Sequence, residues 1–315
     1  MNKKVIVILL INLFLLQSSN IVIGSQNIKN TSTTIGKTLY VDDDADLSWY
    51  NETNFLIIQN AINCASEKDT VYVYNGTYYE NILIDKSINL IGETTNNTII
   101  NYSSGVSAVG ISANYVNIRH FTISTGDVTS YGIFLLNSNC VIIKDNIITN
   151  SGHGLIISGS TNCAVLNNKI IDNLAGSAFF STSNINVSNN TIKDNSLYAF
   201  SIWDSNNDIL YRNKIENNEK GVLLFNSNNN EIIKNNIKEN QIGVQINSKS
   251  NKNKILENNF IKCNISAIHI QSYRNTWNHN FWDKPRLFPK PIFGYGLILP
   301  RLTFDLHPAK EPYEI

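Results

Sequence analysis

The chain has 315 residues, 42% of them hydrophobic and 16% charged, and its 25 basic and 25 acidic side chains cancel at neutral pH. Because tight contact with a phosphate backbone needs an excess of Lys and Arg, this balance argues against nucleic acid as a partner.

Residues 1–24 have the pattern of a secretory signal peptide. Lys3 and Lys4 precede an apolar run over residues 5–16, and Gly24 supplies a small residue for cleavage. The run is too short to span a membrane comfortably, so we expect a secreted or cell-surface protein without an integral membrane segment after cleavage. An uncleaved anchor is the alternative. Residues 25–37 are polar and predict a flexible leader.

Ordered structure is expected from residue 38, where a first strand begins. Apolar residues near helical spacing over 55–66 predict a helix, with Thr53 or Asn54 available to cap its start. We expect this helix to cover the N-terminal end of the repeats that follow, because the end of a solenoid exposes apolar core and strand edges. Residues 70–128 read as less regular coils of the same domain, which we assign to residues 38–284.

A repeat of about 22 residues runs from Tyr131 to Asp283. Its signature is Asn, any residue, Ile or Phe, two further residues and Asn, as in Asn168, Ile170 and Asn173. The apolar column at positions 147, 170, 192, 215, 237, 260 and 281 has steps of 23, 22, 23, 22, 23 and 21. Such regularity indicates stacked structural repeats.

Each repeat alternates on the strand period, with three apolar segments separated by bends. Successive coils should therefore pair as parallel strands, with equivalent side chains stacked in columns. Asn suits the bends because it tolerates left-handed backbone and its amide can bond to the Asn of the next coil.

These coils resemble the parallel β-helix repeats of the pectin-lyase-like superfamily, and more narrowly those of NosD-like surface proteins. Residues 39–44, 69–80 and 280–283 strengthen the likeness, which covers about residues 38–284. It implies an all-β fold, a single-stranded right-handed parallel β-helix (solenoid) with an N-terminal capping helix. It does not identify an activity, because the superfamily contains lyases, hydrolases, binding modules and structural stalks.

The tail over residues 285–315 is rich in Pro and apolar residues, and we expect it to pack on the β-helix. An outward apolar row is predicted at Phe134, Ile156, Phe179, Ser201 and Leu223, with Trp203 and Phe225 two residues further on. Either the tail or a loop covers this row, or it binds a sugar or a partner. On the second reading, Phe134, Phe179, Trp203 and Phe225 are the binding residues.

Few residues have the pattern of a catalytic or metal site, and we assign none to either role. His153 lies in a Gly-His-Gly segment that resembles one in polygalacturonases, but the paired carboxylates of such enzymes are missing from the neighbouring coil. Asp42, Asp43, Asp44 and Asp46 are candidate calcium ligands or a solvated loop. No cofactor is expected. Copper, raised by the NosD resemblance, is disfavoured because the histidines lack tight spacing and Met1 is the single methionine.

Cys140 and Cys163 both lie seven residues before the Ile of the apolar column, which would place them in one column on adjacent coils. They could form a disulfide there or remain a reduced, buried pair. Cys263 takes the place of a repeat Asn and is expected to be unpaired.

The pattern favours a secreted or cell-surface, non-catalytic β-helix protein that has a structural role or binds a carbohydrate or other partner. Its partner would be a polysaccharide or a cell-envelope component. The alternative is a polysaccharide lyase or glycoside hydrolase that acts on uronic-acid polymers.

Overall fold

A computed structural model of the chain describes residues 36–102, 104–296 and 299–315. The predicted signal peptide and most of the predicted leader lie outside these residues. The described part is almost entirely short strands that wind into a parallel β-helix, with one α-helix, Ile58–Cys64, and a 3-10 helix, Leu47–Trp49. The predicted fold class is confirmed. No helix in these ranges is long and apolar enough to cross a membrane.

Three stacks of strands form the walls. Stack A contains Asn54–Phe55, Thr38–Val41, Thr70–Val73, Asn89–Gly92, Asn117–Arg119, Ile142–Lys144, Ala164–Leu166, Asn186–Ser188, Ile209–Tyr211, Glu231–Ile233, Lys254–Leu256 and Thr276–Asn278, in spatial order. Stack B contains Gly76–Tyr79, Thr98–Asn101, Lys169–Ile171, Thr191–Lys193, Lys214–Glu216, Asn236–Lys238, Asn259–Ile261 and Phe281–Trp282. Stack C contains Ile82–Ile84, Ser107–Ile111, Ala175–Phe180, Tyr198–Trp203, Lys220–Phe225, Ile242–Asn247, Ile265–Ile270, Lys290–Tyr295 and Pro300–Asp305. Two long strands, Thr122–Leu136 and Ile147–Ser158, belong to both stacks: their first residues pair within stack B and their last residues within stack C.

Apolar side chains from all three stacks fill the interior in columns. In stack B, Ile170 pairs in register with Ile192 and Ile192 with Ile215, and all three have no exposed surface. Burying each such side chain contributes roughly 1.5–3 kcal/mol. Because each coil supplies one Ile to the column, the hydrophobic stabilisation is spread along the whole β-helix.

Buried Asn ladders join the coils at the bends. At the corner between stacks A and B the ladder contains Asn146, Asn168, Asn190, Asn213, Asn235, Asn258 and Asn280. In each step, one side-chain oxygen accepts from the backbone nitrogen and the amide nitrogen of the preceding Asn, as between Asn213 and Asn190 at 3.0 Å for both bonds. Every amide of this ladder therefore has a partner, which removes the usual penalty for burying it.

The register departs from the prediction at both ends of the repeat region. Ile148, not Ile147, pairs with Ile170, and Trp282, not Phe281, pairs with Phe260. The physical reason is that the stacked Asn sets the register: Asn146 stacks on Asn168 and lies two residues before Ile148. Because Ile147 and Ile148 are both apolar, as are Phe281 and Trp282, the sequence pattern alone could not show which residue of each pair belongs to the column.

Glu80 caps the N-terminal helix in place of the predicted Thr53 or Asn54. Its two carboxylate oxygens accept from the backbone nitrogens of Ile58 and Gln59 at 2.8 and 2.9 Å. Burial raises the pKa of Glu80, against the lowering effect of these two hydrogen bonds. The helix is thereby tied to stack B, one coil further along the chain.

The tail extends the β-helix at its C-terminal end. Strand Lys290–Tyr295 pairs in parallel with Ile265–Ile270, and Pro300–Asp305 folds back on it in antiparallel pairing. Asp305 is fully buried, and its Oδ2 accepts from the backbone nitrogen and the amide nitrogen of Asn280 and from Trp282 Nε1. A residue of the tail therefore completes the Asn ladder.

Candidate functional site

The outer face of stack C carries three parallel columns of side chains, which we call the stack C face. One column contains Tyr131, His153, Ala175, Tyr198 and Lys220, the middle one Phe134, Ile156, Ala178, Ser201 and Leu223, and the third Leu136, Ser158, Phe180, Trp203 and Phe225. The middle column has small residues at its centre and large residues on both sides. Alternation along each strand produces the middle and third columns, because residues two apart point to the same side of a sheet, whereas the first column lies three residues before the middle one.

His153 and Tyr198 form one side of this face. Nε2 of His153 lies 2.9 Å from the Tyr198 hydroxyl, a contact across the small intervening residue Ala175. Tyr131 packs edge-on against His153, with 5.5 Å between ring centroids. Burial lowers the pKa of His153 to about 4 and raises the pKa of Tyr198 to about 12. Both side chains are therefore neutral at physiological pH, and together they make a polar but uncharged edge.

Trp203 and Phe225 form the opposite side. Their rings stack with centroids 4.3 Å apart and planes inclined by 25°, and both side chains remain partly exposed. Trp203 Nε1 donates to the Ser201 hydroxyl, which is almost completely buried. Because each ring covers a flat side of the other, the pair presents a ridge of ring edges and its two outer faces, rather than the separate flat faces expected from the sequence.

Phe179 does not belong to this face, and its predicted outward position is wrong. It is fully buried and pairs in register with Ile157 and Ile202, whereas Phe180 pairs with Trp203 in the outward column. The slip arises at Gly176, which occupies the small-residue position that the sequence assigned to Ser177. A Cβ at Gly176 would lie 2.6 Å from the Ala199 carbonyl oxygen, so this coil has little room for a side chain there.

The remaining predicted binding residues lie on the face. Phe134 is half-buried at the N-terminal end of the middle column, where it packs edge-on against Tyr131 at 5.8 Å. The sequence pattern did not identify Tyr198 and Phe180 as members of this face. A usable signal existed, since Tyr131 and Tyr198 each lie three residues before the middle column, at Phe134 and Ser201.

The tail follows a different surface. Asn259 exchanges hydrogen bonds of 2.9 and 2.8 Å with the backbone of Tyr313, and Glu314 and Ile315 lie against a hollow of about 520 Å³ that Arg212 and Lys214 also line. These contacts follow the corner between stacks A and B. In the middle column of the stack C face, Ile156, Ala178, Ser201 and Leu223 are each at most 8% exposed, and Trp203 donates a hydrogen bond to Ser201.

The two candidate disulfide cysteines are free thiols, and their predicted alignment is wrong. Cys163 lies beside Val141, whose backbone nitrogen donates to its sulfur at 3.4 Å, while Cys140 has a left-handed backbone in the bend before it. The cause is the register shift described above, because Cys140 lies eight residues before Ile148. Cys263 is also free, and its thiol donates to the Ile237 carbonyl in the place of a ladder amide.

Three of the four candidate calcium ligands lie together. Oxygens of Asp42, Asp43 and Asp44 are within 4.8 Å of one another, and Asp46 is outside the group. Burial raises the pKa of Asp42, and hydrogen bonding to the Asp44 side chain adds to this effect. Asp43 packs against Gly76, where an added Cβ would lie 2.0 Å from its Oδ1. This cluster is at the N-terminal end of the β-helix, several coils from Trp203.

The nitrogen and sulfur donors do not converge on a copper site. His153 is bonded to Tyr198, and His269 is buried against Gly294. His279 and His307 lie close together, but their rings stack with planes inclined by only 20° and centroids 5.6 Å apart. The lone pairs of ring nitrogens lie in the ring plane, so stacked rings direct them alongside each other rather than at a shared ion. Within the described ranges, the single group of three donors is the aspartate cluster, whose oxygens suit harder ions than copper.

The fold is shared with several solved structures. The A-module of a mannuronan C-5 epimerase from Azotobacter vinelandii aligns with a TM-score of 0.60 and 14% identity, covering 71% of this chain and 82% of that one. A pectate lyase aligns with a TM-score of 0.58 and 12% identity, covering 79% and 80%. A DFA-IIIase from Arthrobacter chlorophenolicus A6 in complex with GF2 aligns with a TM-score of 0.56 and 11% identity, covering 77% and 86%. At these identities the likeness shows the fold alone.

No curated protein matches the chain. A family model described as "Periplasmic copper-binding protein (NosD)" matches residues 62–286, well over half of the sequence. Those residues contain the Asn ladders, the apolar columns and the whole stack C face. The chain belongs to the NosD family.

Proposed function

We propose that this protein acts outside the cytoplasm as a non-catalytic β-helix that binds a polysaccharide or another envelope component through the stack C face. The observation that carries the proposal is the pairing of two uncharged edges on one rigid sheet: the Trp203 and Phe225 ridge, and the hydrogen-bonded His153 and Tyr198. Aromatic rings contact the apolar faces of sugars, while phenol, imidazole and hydroxyl groups satisfy sugar hydroxyls.

The chemistry of the face supports binding over catalysis. Glycoside hydrolysis needs two carboxyl groups on either side of the scissile bond. The hydrogen-bonded pair here is an imidazole and a phenol, and the lowered pKa of His153 makes it a weak base at neutral pH. Asp204, which follows Trp203, accepts a hydrogen bond from Asn226 in the exposed bend. We therefore assign His153 to binding rather than to catalysis.

A lyase or hydrolase acting on uronic-acid polymers is the second candidate. It is favoured by the aspartate cluster of Asp42, Asp43 and Asp44, since oxygen ligands of this kind suit the calcium that assists such lyases. The fold likeness to a pectate lyase and to a mannuronan epimerase supports the same class of ligand.

An extracytoplasmic location is supported by the description of the family as periplasmic and by the signal-peptide pattern of residues 1–24. It can be checked independently by fractionating cells and sequencing the mature N-terminus. Retention of the full precursor in the cytoplasm would contradict it.

The binding proposal is tested by screening the mature protein on a glycan array and measuring affinity for the best ligand with Trp203→Ala and Phe288→Ala. Phe288 is an exposed aromatic residue on the tail, 79% accessible, and serves as the matched control. Loss of a central aromatic contact should weaken binding about tenfold or more, whereas the control should not.

Two results would contradict the binding proposal. One is equal affinity of Trp203→Ala and the native protein for every ligand found. The other is cleavage of a uronic-acid polymer, with or without calcium, that Asp43→Asn abolishes; this would establish the enzymatic alternative instead.

A further inference from the structure

A pocket of about 640 Å³ lies at the bend between stacks C and A, near the C-terminal end of the β-helix. Its lining contains Asn206, Asn228, Asn229, Asn251, Lys252, Tyr273 and Arg274. Two of these side chains are cationic, four are amides, and none is a carboxylate. This composition is unusual for a chain with equal numbers of acidic and basic residues, and it indicates selectivity for negative charge.

The amides of the pocket are oriented as donors. The side-chain oxygen of Asn206 accepts from the backbone nitrogen of Asn228 at 3.0 Å, that of Asn228 from Asn251 at 2.9 Å, and that of Asn251 from Tyr273 at 2.7 Å. An amide whose oxygen is fixed in this way directs its NH₂ group elsewhere. The Asn251 amide nitrogen already donates to the Lys249 carbonyl at 2.6 Å, so the NH₂ groups of Asn206 and Asn228 are the donors directed at the pocket, one coil apart at roughly 4.8 Å.

Lys252 and Arg274 follow four successive Asn residues in one column of bends. Asn162, Asn184, Asn207, Asn229, Lys252 and Arg274 occupy equivalent bends with left-handed backbone, with φ between 54° and 62°. Asn is the residue that suits this conformation, and Lys and Arg are less favourable there. The two cations stand on the last two of the four coils that line the pocket.

Arg301 from the tail adds to the positive charge. Its guanidinium lies over the Tyr273 ring, 4.5 Å from the centroid, and is exposed. This contact fixes the Tyr273 ring beside the pocket and places a third cation at its rim. The tail thus contributes to a surface formed by the last coils.

We propose that this pocket binds an oxyanion carried by a hydroxylated envelope polymer, either the carboxylate of an acidic sugar or the phosphate of a phosphodiester polymer. Lys252 and Arg274 bind the anionic oxygens, and the amide groups of Asn206 and Asn228 donate to neighbouring oxygens of the polymer. The inference rests on the proposed function for the polymer nature of the ligand, whereas the preference for an anion rests on the pocket alone.

The test measures affinity by calorimetry for an oligogalacturonate, a glycerol-phosphate oligomer, a neutral cello-oligosaccharide and inorganic phosphate. The variants are Lys252→Asn and Arg274→Asn, which restore the residue found elsewhere in the column and so preserve the backbone. The matched control is Lys249→Asn, a cation that also has a left-handed backbone, with φ of 61°, but does not line the pocket. Thermal unfolding of each variant confirms that the fold is intact.

We expect one of the acidic oligomers to bind more tightly than the neutral one, with affinity falling at high salt and dropping about tenfold or more in Arg274→Asn. The oligomer that binds identifies the oxyanion as carboxylate or phosphate. Equal affinity for the neutral oligomer, equal loss in Lys249→Asn, or binding of inorganic phosphate without either acidic oligomer would each overturn the proposal. Trp203→Ala separates anion binding at the pocket from polymer binding at the stack C face. If Trp203→Ala leaves the affinity unchanged while Arg274→Asn lowers it, the result supports the anion site and contradicts binding at the stack C face.

Discussion

Asp208 is a buried carboxylate at the start of a ladder of amides, and its replacement by Asn should stabilise the protein. It is fully buried at the corner between stacks C and A, in a column that continues with Asn230, Asn253 and Asn275. Its Oδ1 accepts from the Ile185 backbone nitrogen at 2.9 Å and its Oδ2 from the Thr182 hydroxyl at 2.8 Å. An Asn side chain has the same shape, keeps the first bond and can donate to the Thr182 oxygen once that hydroxyl rotates.

The size of the effect follows from the pKa of Asp208. Burial raises it from 3.8 to about 6, against the lowering effect of the two hydrogen bonds. A difference of about 2.2 corresponds to roughly 3 kcal/mol at about 1.4 kcal/mol per unit. Because the folded state binds the proton more tightly than the unfolded state, the free energy of unfolding falls as the pH rises from about 4 to about 6. Above that range the native protein carries the full penalty of a buried charge.

The measurement is urea unfolding of the native protein, Asp208→Asn and Asp204→Asn at about pH 7 and about pH 4. Asp204 is in the same coil but exposed, and it serves as the matched control. Asp208→Asn should raise the free energy of unfolding by roughly 2–3 kcal/mol at the higher pH and by little at the lower pH. A gain of the same size at both pH values, or none at either, would refute this reasoning.

Three further outcomes follow from the same contacts. Asn213→Leu should lower the free energy of unfolding by about 3 kcal/mol, since the buried Asn190 backbone nitrogen loses its acceptor and the Val187 carbonyl loses the Asn213 amide, while Lys214→Leu on the neighbouring exposed position should not. Asp305→Ala should accelerate amide hydrogen exchange in the coils around Asn280 but not around Ile192; uniform exchange would contradict a local capping role. Added copper should leave the unfolding midpoint unchanged, because the described His and Cys side chains do not converge; a concentration-dependent rise would contradict this.

The repeat could be predicted from the sequence because its signal is redundant. Asn and Ile recur together through many coils, and each recurrence reports the same physical contact, an amide on an amide or an Ile on an Ile. Register at single coils was harder to predict. Where two apolar residues are adjacent, as at Ile147 and Ile148 or at Phe179 and Phe180, alternation cannot decide which one points inward.

A slip of one residue moves every side chain of a strand to the opposite side. This is why the error placed Phe179 on the surface and aligned Cys140 with Cys163. The Asn ladder would have corrected the first coil, because Asn146 must stack on Asn168. At Phe179 the preceding bend also carries a ladder residue, Asn173, which stacks on Asn195. The small-residue position lies three residues after Asn173 but four after Asn195, so this ladder alone does not fix it, and the close approach of Gly176 to the Ala199 carbonyl decides the register.

The candidate sites depend on contacts between coils that have no fixed spacing in the sequence. Trp203 and Phe225 were found because both are aromatic and one repeat apart. The pocket was missed because Lys252 and Arg274 look like ordinary solvated cations until the left-handed column is known. In hindsight the signal was the loss of Asn at two successive bends, which is visible only after the coils are aligned.

The C-terminal end shows why the tail must be considered with the repeats. A ladder in which each Asn donates to the next leaves the backbone nitrogen of its last member without an acceptor, which would cost roughly 1–3 kcal/mol if that nitrogen were buried without a partner. Asp305 accepts both donors of Asn280 and the Trp282 indole, and its own strand covers the open edge of stack C through Lys290–Tyr295. The same strand pair places Arg301 over Tyr273 at the pocket rim. Capping the solenoid and completing the anion site are therefore one structural event, so loosening the cap at Asp305 should weaken anion binding as well as stability.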